Sequence, residues 1–273
     1  MTEPPAVKRP RGLLPLAAVG AAAILVPLAG LLATLDLDSI ATLRTRSAVA
    51  ALRLSLSTAT AAMTASVVLG LPIGWLLAHS DQRRLRAVRA LLSLPLVIPP
   101  VVSGLALLST LSTRSWIGTQ LRERFGVTLT YSTTGVIIAA TFVSLPLFIT
   151  AAEVAFRNVD HHYEELSAGL GARPWRTFRD VTIPLALPGL GAAAALAWAR
   201  ALGEFGATLT FAGNIEGRTR TAPLAVYLAL DTDRQSALAL STALMALAFV
   251  VLVALRGRWL PGVARGYGAP HER

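Results

Sequence analysis

Six stretches of about 20 mostly apolar residues dominate this chain, and a helix of that length crosses the roughly 30 Å hydrocarbon core of a bilayer. They run approximately over Leu13–Leu35, Leu56–His79, Leu91–Leu111, Thr134–Ala155, Leu185–Leu202 and Ala237–Leu255. Their apolar residues are continuous instead of alternating in segments of about ten, so helices and not barrel strands are the expected spans. With 54% of its 273 residues hydrophobic and 15% charged, the chain is far too apolar for a soluble domain of this size. The expected fold is therefore an all-α membrane protein with six transmembrane helices. The first stretch follows Lys8, Arg9 and Arg11, as the apolar part of a signal peptide would. It is long for that role, and Asp36-Leu37-Asp38 follows it where a small-residue cleavage site would stand. A retained anchor helix is expected.

Cysteine is absent, which excludes disulfides, iron–sulfur clusters and thiolate zinc sites. Lys8 is the only lysine. A P-loop needs a lysine after its glycines, so ATP chemistry must come from a partner. The net charge of +10 is almost wholly arginine. In a chain with spans, such an excess reads as positive-inside topology and not as nucleic-acid binding. Arg83, Arg84, Arg86 and Arg89 follow the second stretch, Arg157, Arg173, Arg176 and Arg179 the fourth, and Arg256, Arg258, Arg265 and Arg273 the sixth. That bias places both termini and the loop 160–184 in the cytoplasm. The domain reading is an N-terminal tail and anchor over 1–48, a core over 49–256, and a cytoplasmic tail over 257–273. No internal repeat is apparent. Pro95, Pro99 and Pro100 fall in the third stretch, Pro146 in the fourth, and Pro184 and Pro188 at the start of the fifth. Interior prolines free a carbonyl and bend a helix. Two readings follow: kinks that aid packing, or spans three to five lining a pathway.

The loop 160–184 has its own local signals. Asp160 is an N-cap, and Glu164 and Glu165 lie close to the positive end of a short helix over His161–Leu170. Gly171 suits the left-handed position after that helix, and Pro174 suits the first turn of the next. The result is helix, glycine turn, helix along the membrane face, able to present a knob to a groove on a partner. A plain amphipathic interfacial pair is the alternative. Arg200 and Glu204 are four apart on a helix and share a face. A structural ion pair is favoured there over a direct anion site, with Gly203 and Gly206 allowing close helix packing. His161 and His162 are adjacent, so they face apart, and a solvated loop is the expectation; no metal-ligand set is legible. Trp116 and Trp198 are read as interfacial anchors.

Two blocks carry a family resemblance. Tyr163 to Gly171, followed by Val181-Thr182-Ile183-Pro184, resembles the loop by which the membrane subunit of a bacterial ABC importer grips its ATPase. The family pattern is E-A-A, three residues, G, nine residues, I-x-L-P. Glu165 opens it, Ala168 and Gly171 fall within it, and Val181, Ile183 and Pro184 close it; Leu166 and Ser167 depart from the alanines. The run from Trp198 to Thr221, with Gly203-Glu204-Phe205-Gly206-Ala207 at its centre, is similar to molybdate ABC transporter permeases, as are Ser93–Gly104 and Ser115–Gly118. Sulfate permeases share the central Gly-Glu-Phe-Gly-Ala. The resemblance covers about Arg53 to Leu255.

It implies a type I importer permease fold (MetI-like) in a bacterial inner membrane. Two copies would form the channel, an ABC ATPase would dock beneath with ATP and Mg, and an extracytoplasmic molybdate-binding protein would deliver substrate. Lipid surrounds it, and no cofactor belongs to this chain. Gly206, Thr208 and Thr210 become pathway or gate candidates beside Arg200 and Glu204, and Asn214, Gly217, Arg218 and Arg220 become binding-protein contacts. A sulfate or thiosulfate permease, tungstate as substrate, and an ion-coupled secondary transporter stay open. The last usually shows inverted repeats and midplane acids, which are not apparent here. No residue cluster points to a membrane enzyme.

Overall fold

The computed structural model describes residues 11–80 and 83–259, and among these every regular element is helical. The tail from 260 onward, and Lys8 and Arg9, lie outside the described residues. The longer helices are α1 (Leu14–Ala33), α2 (Arg46–Ala78), α6 (Thr133–Arg157), α9 (Ile183–Leu202) and α12 (Arg234–Trp259). Between them lie α3 (Arg86–Val97), α4 (Pro100–Leu111), α5 (Trp116–Phe125), α7 (His161–Gly169), α8 (Pro174–Thr177), α10 (Gly206–Ala212) and α11 (Ala222–Thr232).

Small residues decide the core. Along α2, Ala48, Ala51, Ser55, Ala59, Ala62, Ser66, Gly70 and Gly74 recur at helical spacing and are buried. Without large side chains the backbones of α2, α6 and α9 approach closely, which is how helices associate in lipid. A Cβ on Gly70 would meet the Phe148 ring at 2.6 Å, and one on Gly189 would meet Ala155 Cβ at the same distance. Ser66 and Ser144 share a buried hydrogen bond of 3.0 Å across α2 and α6. By contrast α1 has no buried residue. An apolar helix with no protein cover is stable only in lipid, which fits an appended anchor.

The third expected span is not one helix. α3 and α4 meet at a bend of 110°. The cause is local: Pro99 forces Ile98 into extended backbone (φ −70°, ψ 144°), and Pro100 then starts a new helix. Among the described residues, five helices are thus long and apolar enough to cross a membrane, or six if the bent pair counts as one span. The second span is also longer than its apolar stretch, reaching back to Arg46, because the Thr45 hydroxyl accepts the Ala48 N–H and no breaker lies between. Trp116 is 79% exposed, as an anchor should be. Trp198 is not an anchor: it is buried, and its indole N–H donates to Thr60 Oγ1 at 3.3 Å.

Candidate functional site

The loop between α6 and α9 is built as its residues dictate. The Asp160 carboxylate accepts the His162 N–H at 2.9 Å and caps α7. At the other end Gly171 sits at φ +83°. Its N–H donates to the Ala168 carbonyl at 2.9 Å, and the Ala172 N–H donates to Ser167 O at 3.1 Å. These two bonds are the paired closure of a left-handed helix stop, satisfying carbonyls that the helix leaves open. Pro174 starts α8. Ser167, one of the two departures from the family pattern, shares a 3.0 Å hydrogen bond with Thr177 Oγ1 and so ties α7 to α8.

α8 does not stop before the fifth span. It runs through a π turn, Phe178–Thr182, into α9, making one helical rod over Pro174–Leu202. Pro184 has no N–H for the Asp180 carbonyl, and the chain accommodates this by a wider turn in which the Ile183 N–H reaches Phe178 O. Apolar side chains stand out from the loop: Leu170 is 90% exposed and Trp175 69%. Glu165 is exposed, whereas Glu164 turns inward. Its Oε1 accepts the Thr182 hydroxyl at 2.5 Å, and its Oε2 lies 3.2 Å from both His79 Nε2 and His161 Nδ1. Burial pushes the Glu164 carboxyl up, but the hydrogen bonds from Thr182, His161 and His79, with the His79 charge, outweigh it and hold the carboxyl below its ordinary value. His161 is therefore not merely solvated; the fold gives it the company of His79 and Glu164. Nothing in the sequence pairs residues 79 and 161, so this cluster was not legible there.

A second knot at the same end went equally unread. Glu153 Oε1 accepts from Arg89 Nε at 2.9 Å and from Arg157 Nη2 at 2.8 Å. Both guanidiniums also donate to the Leu77 carbonyl, one of the open acceptors at the end of α2. The only sequence signal was the four-residue spacing of Glu153 and Arg157.

At the opposite end of α9, Arg200 Nη1 donates to Glu204 Oε2 at 2.6 Å. Glu204 is 2% exposed, and its Oε1 accepts the Ala207 N–H at 2.8 Å, one of the open donors at the start of α10. α10 then lies against α4. A Cβ on Gly104 would come within 2.8 Å of the Ala207 carbonyl oxygen, and one on Gly206 within 2.9 Å of Pro100 Cβ. The two motifs quoted above, Ser93–Gly104 and Gly203–Ala207, are thus one contact in space. Thr208 and Ser103 are buried there, and each hydroxyl oxygen is without a partner among the described residues. Thr210 donates back to the Gly206 carbonyl.

The loop after α10 closes on itself. Arg220 holds Asn214 Oδ1 at 2.9 Å and Glu216 at 3.0 Å, and Thr219 Oγ1 accepts the Ile215 N–H. Asn214 and Arg220 are therefore internal braces, while Gly217 (φ +71°) and Arg218 are exposed at the tip. The Arg218 carbonyl accepts the Thr133 hydroxyl at the start of α6. This loop lies at the end of the bundle away from α7.

The model of the family described as binding-protein-dependent transport system inner membrane component matches residues 70–261. The molybdenum transport system permease protein ModB of Mycobacterium tuberculosis (strain ATCC 25618 / H37Rv) is 46% identical over 218 residues, covering 80% of this chain and 82% of that protein. The protein of the same name from Escherichia coli (strain K12) is 38% identical over 215 residues, covering 79% and 94%. Among solved structures, a chain of the inward-facing MetNI methionine ABC transporter superposes with a TM-score of 0.62 at 20% identity, covering 77% of this chain and 93% of that one. A chain of the bacterial alginate ABC transporter, in complex with its pentasaccharide-bound periplasmic protein, gives 0.68 at 17% identity, covering 93% and 94%. These likenesses show the fold, that of type I ABC importer permeases.

Proposed function

This chain belongs to the family of binding-protein-dependent transport system inner membrane components, and we propose that it is the permease subunit of an ATP-driven importer of molybdate. It is a multi-pass membrane transport subunit and not an enzyme. The substrate reading rests on relatives named for molybdenum transport that align over four-fifths of the chain. The mechanism rests on one observation: the ATPase-binding loop and the pathway motifs stand at the two ends of a single helical rod of 29 residues, Pro174–Leu202. At 1.5 Å per residue the rod is about 44 Å long. A partner ATPase, carrying ATP and Mg, grips Leu170, Trp175 and Glu165. Its closure moves α7 and α8, and the rod carries that displacement to Glu204, Gly206 and the α4–α10 contact. The partnerless hydroxyls of Ser103 and Thr208 are the donors we assign to the passing oxyanion or its water, since a buried hydroxyl left unpaired is costly. Arg200 is committed to Glu204, so the path offers hydroxyls more than a strong cationic trap, and much of the selectivity falls to the delivery protein.

The arginine bias supports a cytoplasmic α7 and cytoplasmic termini. Gly217 and Arg218 then face an extracytoplasmic binding protein. A second copy of the chain is supported by α2, where Arg53, Ser57, Thr60 and Thr64 line a shallow groove on the outer face. The three hydroxyls are met within the chain, by Leu54 O, Trp198 Nε1 and Thr60 O, but the Arg53 charge needs protein or water over it, not lipid. The test is a deletion strain, expected to lose molybdenum-enzyme activity at trace molybdate, to recover it when molybdate is raised, and to grow normally on sulfate as sole sulfur source. Sulfur auxotrophy with intact molybdenum-enzyme activity overturns the molybdate reading in favour of sulfate.

A further inference from the structure

We propose that His79, His161 and Glu164 form a binding site for a divalent transition-metal ion of the zinc class, which clamps the ATPase-binding loop to the end of α2. Neither the family match nor the relatives' names speak of such a site. It concerns a regulatory or structural cation on the loop, and it stands whatever anion the transporter carries.

The geometry is that of a ligand set. His79 Nε2 and His161 Nδ1 each lie 3.2 Å from Glu164 Oε2. The three donor atoms lie within 4.8 Å of one another. Four ligands about 2.0–2.1 Å from a tetrahedral ion stand roughly 3.3 Å apart along each edge. Two edges therefore already have the required length, and the imidazole rings meet edge to face, with centroids 5.4 Å apart and planes at 79°, leaving room between their nitrogens. The fourth position opens to water, because the His161 side chain is 60% exposed.

The proton inventory points the same way. The other nitrogen of His79, Nδ1, lies 3.0 Å from the Trp75 carbonyl oxygen, which can only accept. Nδ1 therefore carries the ring hydrogen, and in the neutral imidazole Nε2 presents a lone pair. Nε2 can therefore donate to the Glu164 oxygen only by taking up a second ring proton, and a metal ion on the Nε2 lone pair would take that proton's place between the two atoms. A backbone carbonyl fixing the tautomer of a histidine, and a hydroxyl fixing the free oxygen of a carboxylate, are the supports that metal ligands usually have. Here the Trp75 carbonyl and the Thr182 hydroxyl supply both. Two imidazoles and one carboxylate, with no thiolate, select zinc, nickel, cobalt or copper(II) over magnesium and calcium. The bound ion would link three elements: α2 through His79, α7 through His161 and Glu164, and the π turn through Thr182. It would stiffen the joint through which the ATPase moves the rod.

The experiment uses the full chain, purified without a polyhistidine tag and placed in lipid nanodiscs. Zinc binding is measured by calorimetry, and cobalt(II) is used as a coloured substitute whose visible bands report tetrahedral nitrogen–oxygen coordination. One ion per chain is expected. His79→Ala and His161→Ala should each weaken binding by at least about tenfold, using the outer-shell losses of metal sites as a floor. His162→Ala, on the adjacent exposed histidine, should bind like the parent. Zinc should raise the melting temperature of the parent and of His162→Ala but not of His79→Ala, because only a ligand that binds the folded state stabilises it. No stoichiometric zinc binding overturns the proposal and leaves the cation as the proton of an imidazolium–carboxylate pair. Binding that survives in both His79→Ala and His161→Ala also overturns it, as does binding lost in His162→Ala.

Discussion

The pair Arg200–Glu204 allows a prediction whose sign is asymmetric. Glu204 is 2% exposed and uses both carboxylate oxygens, one on Arg200 at 2.6 Å and one on the Ala207 N–H at 2.8 Å. In Glu204→Gln the amide oxygen can keep the Ala207 N–H, but its NH₂ then faces a guanidinium, donor against donor. The Arg200 side chain is 31% exposed, so it can turn partly to water. The loss is then close to one charge-assisted hydrogen bond, about 2–3 kcal/mol, and less than that of a fully buried orphan. Arg200→Gln does the reverse, leaving a carboxylate without its cation at a site closed to water, and should cost about 3–5 kcal/mol. The double Gln variant restores a neutral amide pair and should cost only about 1 kcal/mol. The coupling in a double-mutant cycle should thus be about 4 kcal/mol or more. The assay is equilibrium unfolding of the four proteins in one detergent, with uptake measured on those that fold. Single effects that add within about 0.5 kcal/mol would show that the pair does not interact energetically. An Arg200→Gln protein no weaker than Glu204→Gln would refute the burial argument. A double variant that folds yet moves no anion would assign Arg200 to the substrate.

Two further outcomes test the end of the bundle that carries α7. Gly171 and Gly169 have equal room, since a Cβ at either meets nothing within 4 Å, but Gly171 alone of the two is left-handed. Gly171→Ala should therefore lose about 1–2 kcal/mol of loop stability and weaken ATPase copurification, while Gly169→Ala, in ordinary helix, should be neutral or slightly stabilising; equal behaviour in pull-down and melting would remove the left-handed stop from the coupling argument. Glu153→Gln strips the shared anion from two guanidiniums that are 21% and 29% exposed, and should cost about 3 kcal/mol by melting. Arg89→Gln should be milder, because Arg157 still holds both Glu153 and Leu77 O.

What could be read from the sequence divides by the distance over which the physics acts. Asp160 as a cap, Gly171 as a left-handed stop and Pro174 as a first-turn residue depend on neighbours within a turn, and the structure has all three. The Arg200–Glu204 pair depends on one helical turn, and it too is present. The third span shows where local reading falls short. Its apolar length was plain, and so were Pro99 and Pro100, but apolar length weighs every residue alike, whereas one pre-proline residue in extended backbone turns the chain by 110°.

The contacts that close the site lie beyond any local rule. His79 meets Glu164 across 85 positions, Arg89 meets Glu153 across 64, and Gly104 meets Ala207 only because α4 is bent back from α3. Single residues carried faint marks: a histidine where an apolar span ends, an acid inside the last turns of another, a glycine in a run of large side chains. Each mark says that a residue is costly or unusual where it stands, and none names its partner. The partner is fixed by which helices the small-residue stripe of α2 brings together. Substitutions at Gly70 or Gly189, far from His79 and Glu164, should for that reason separate the cluster as surely as changing its own side chains.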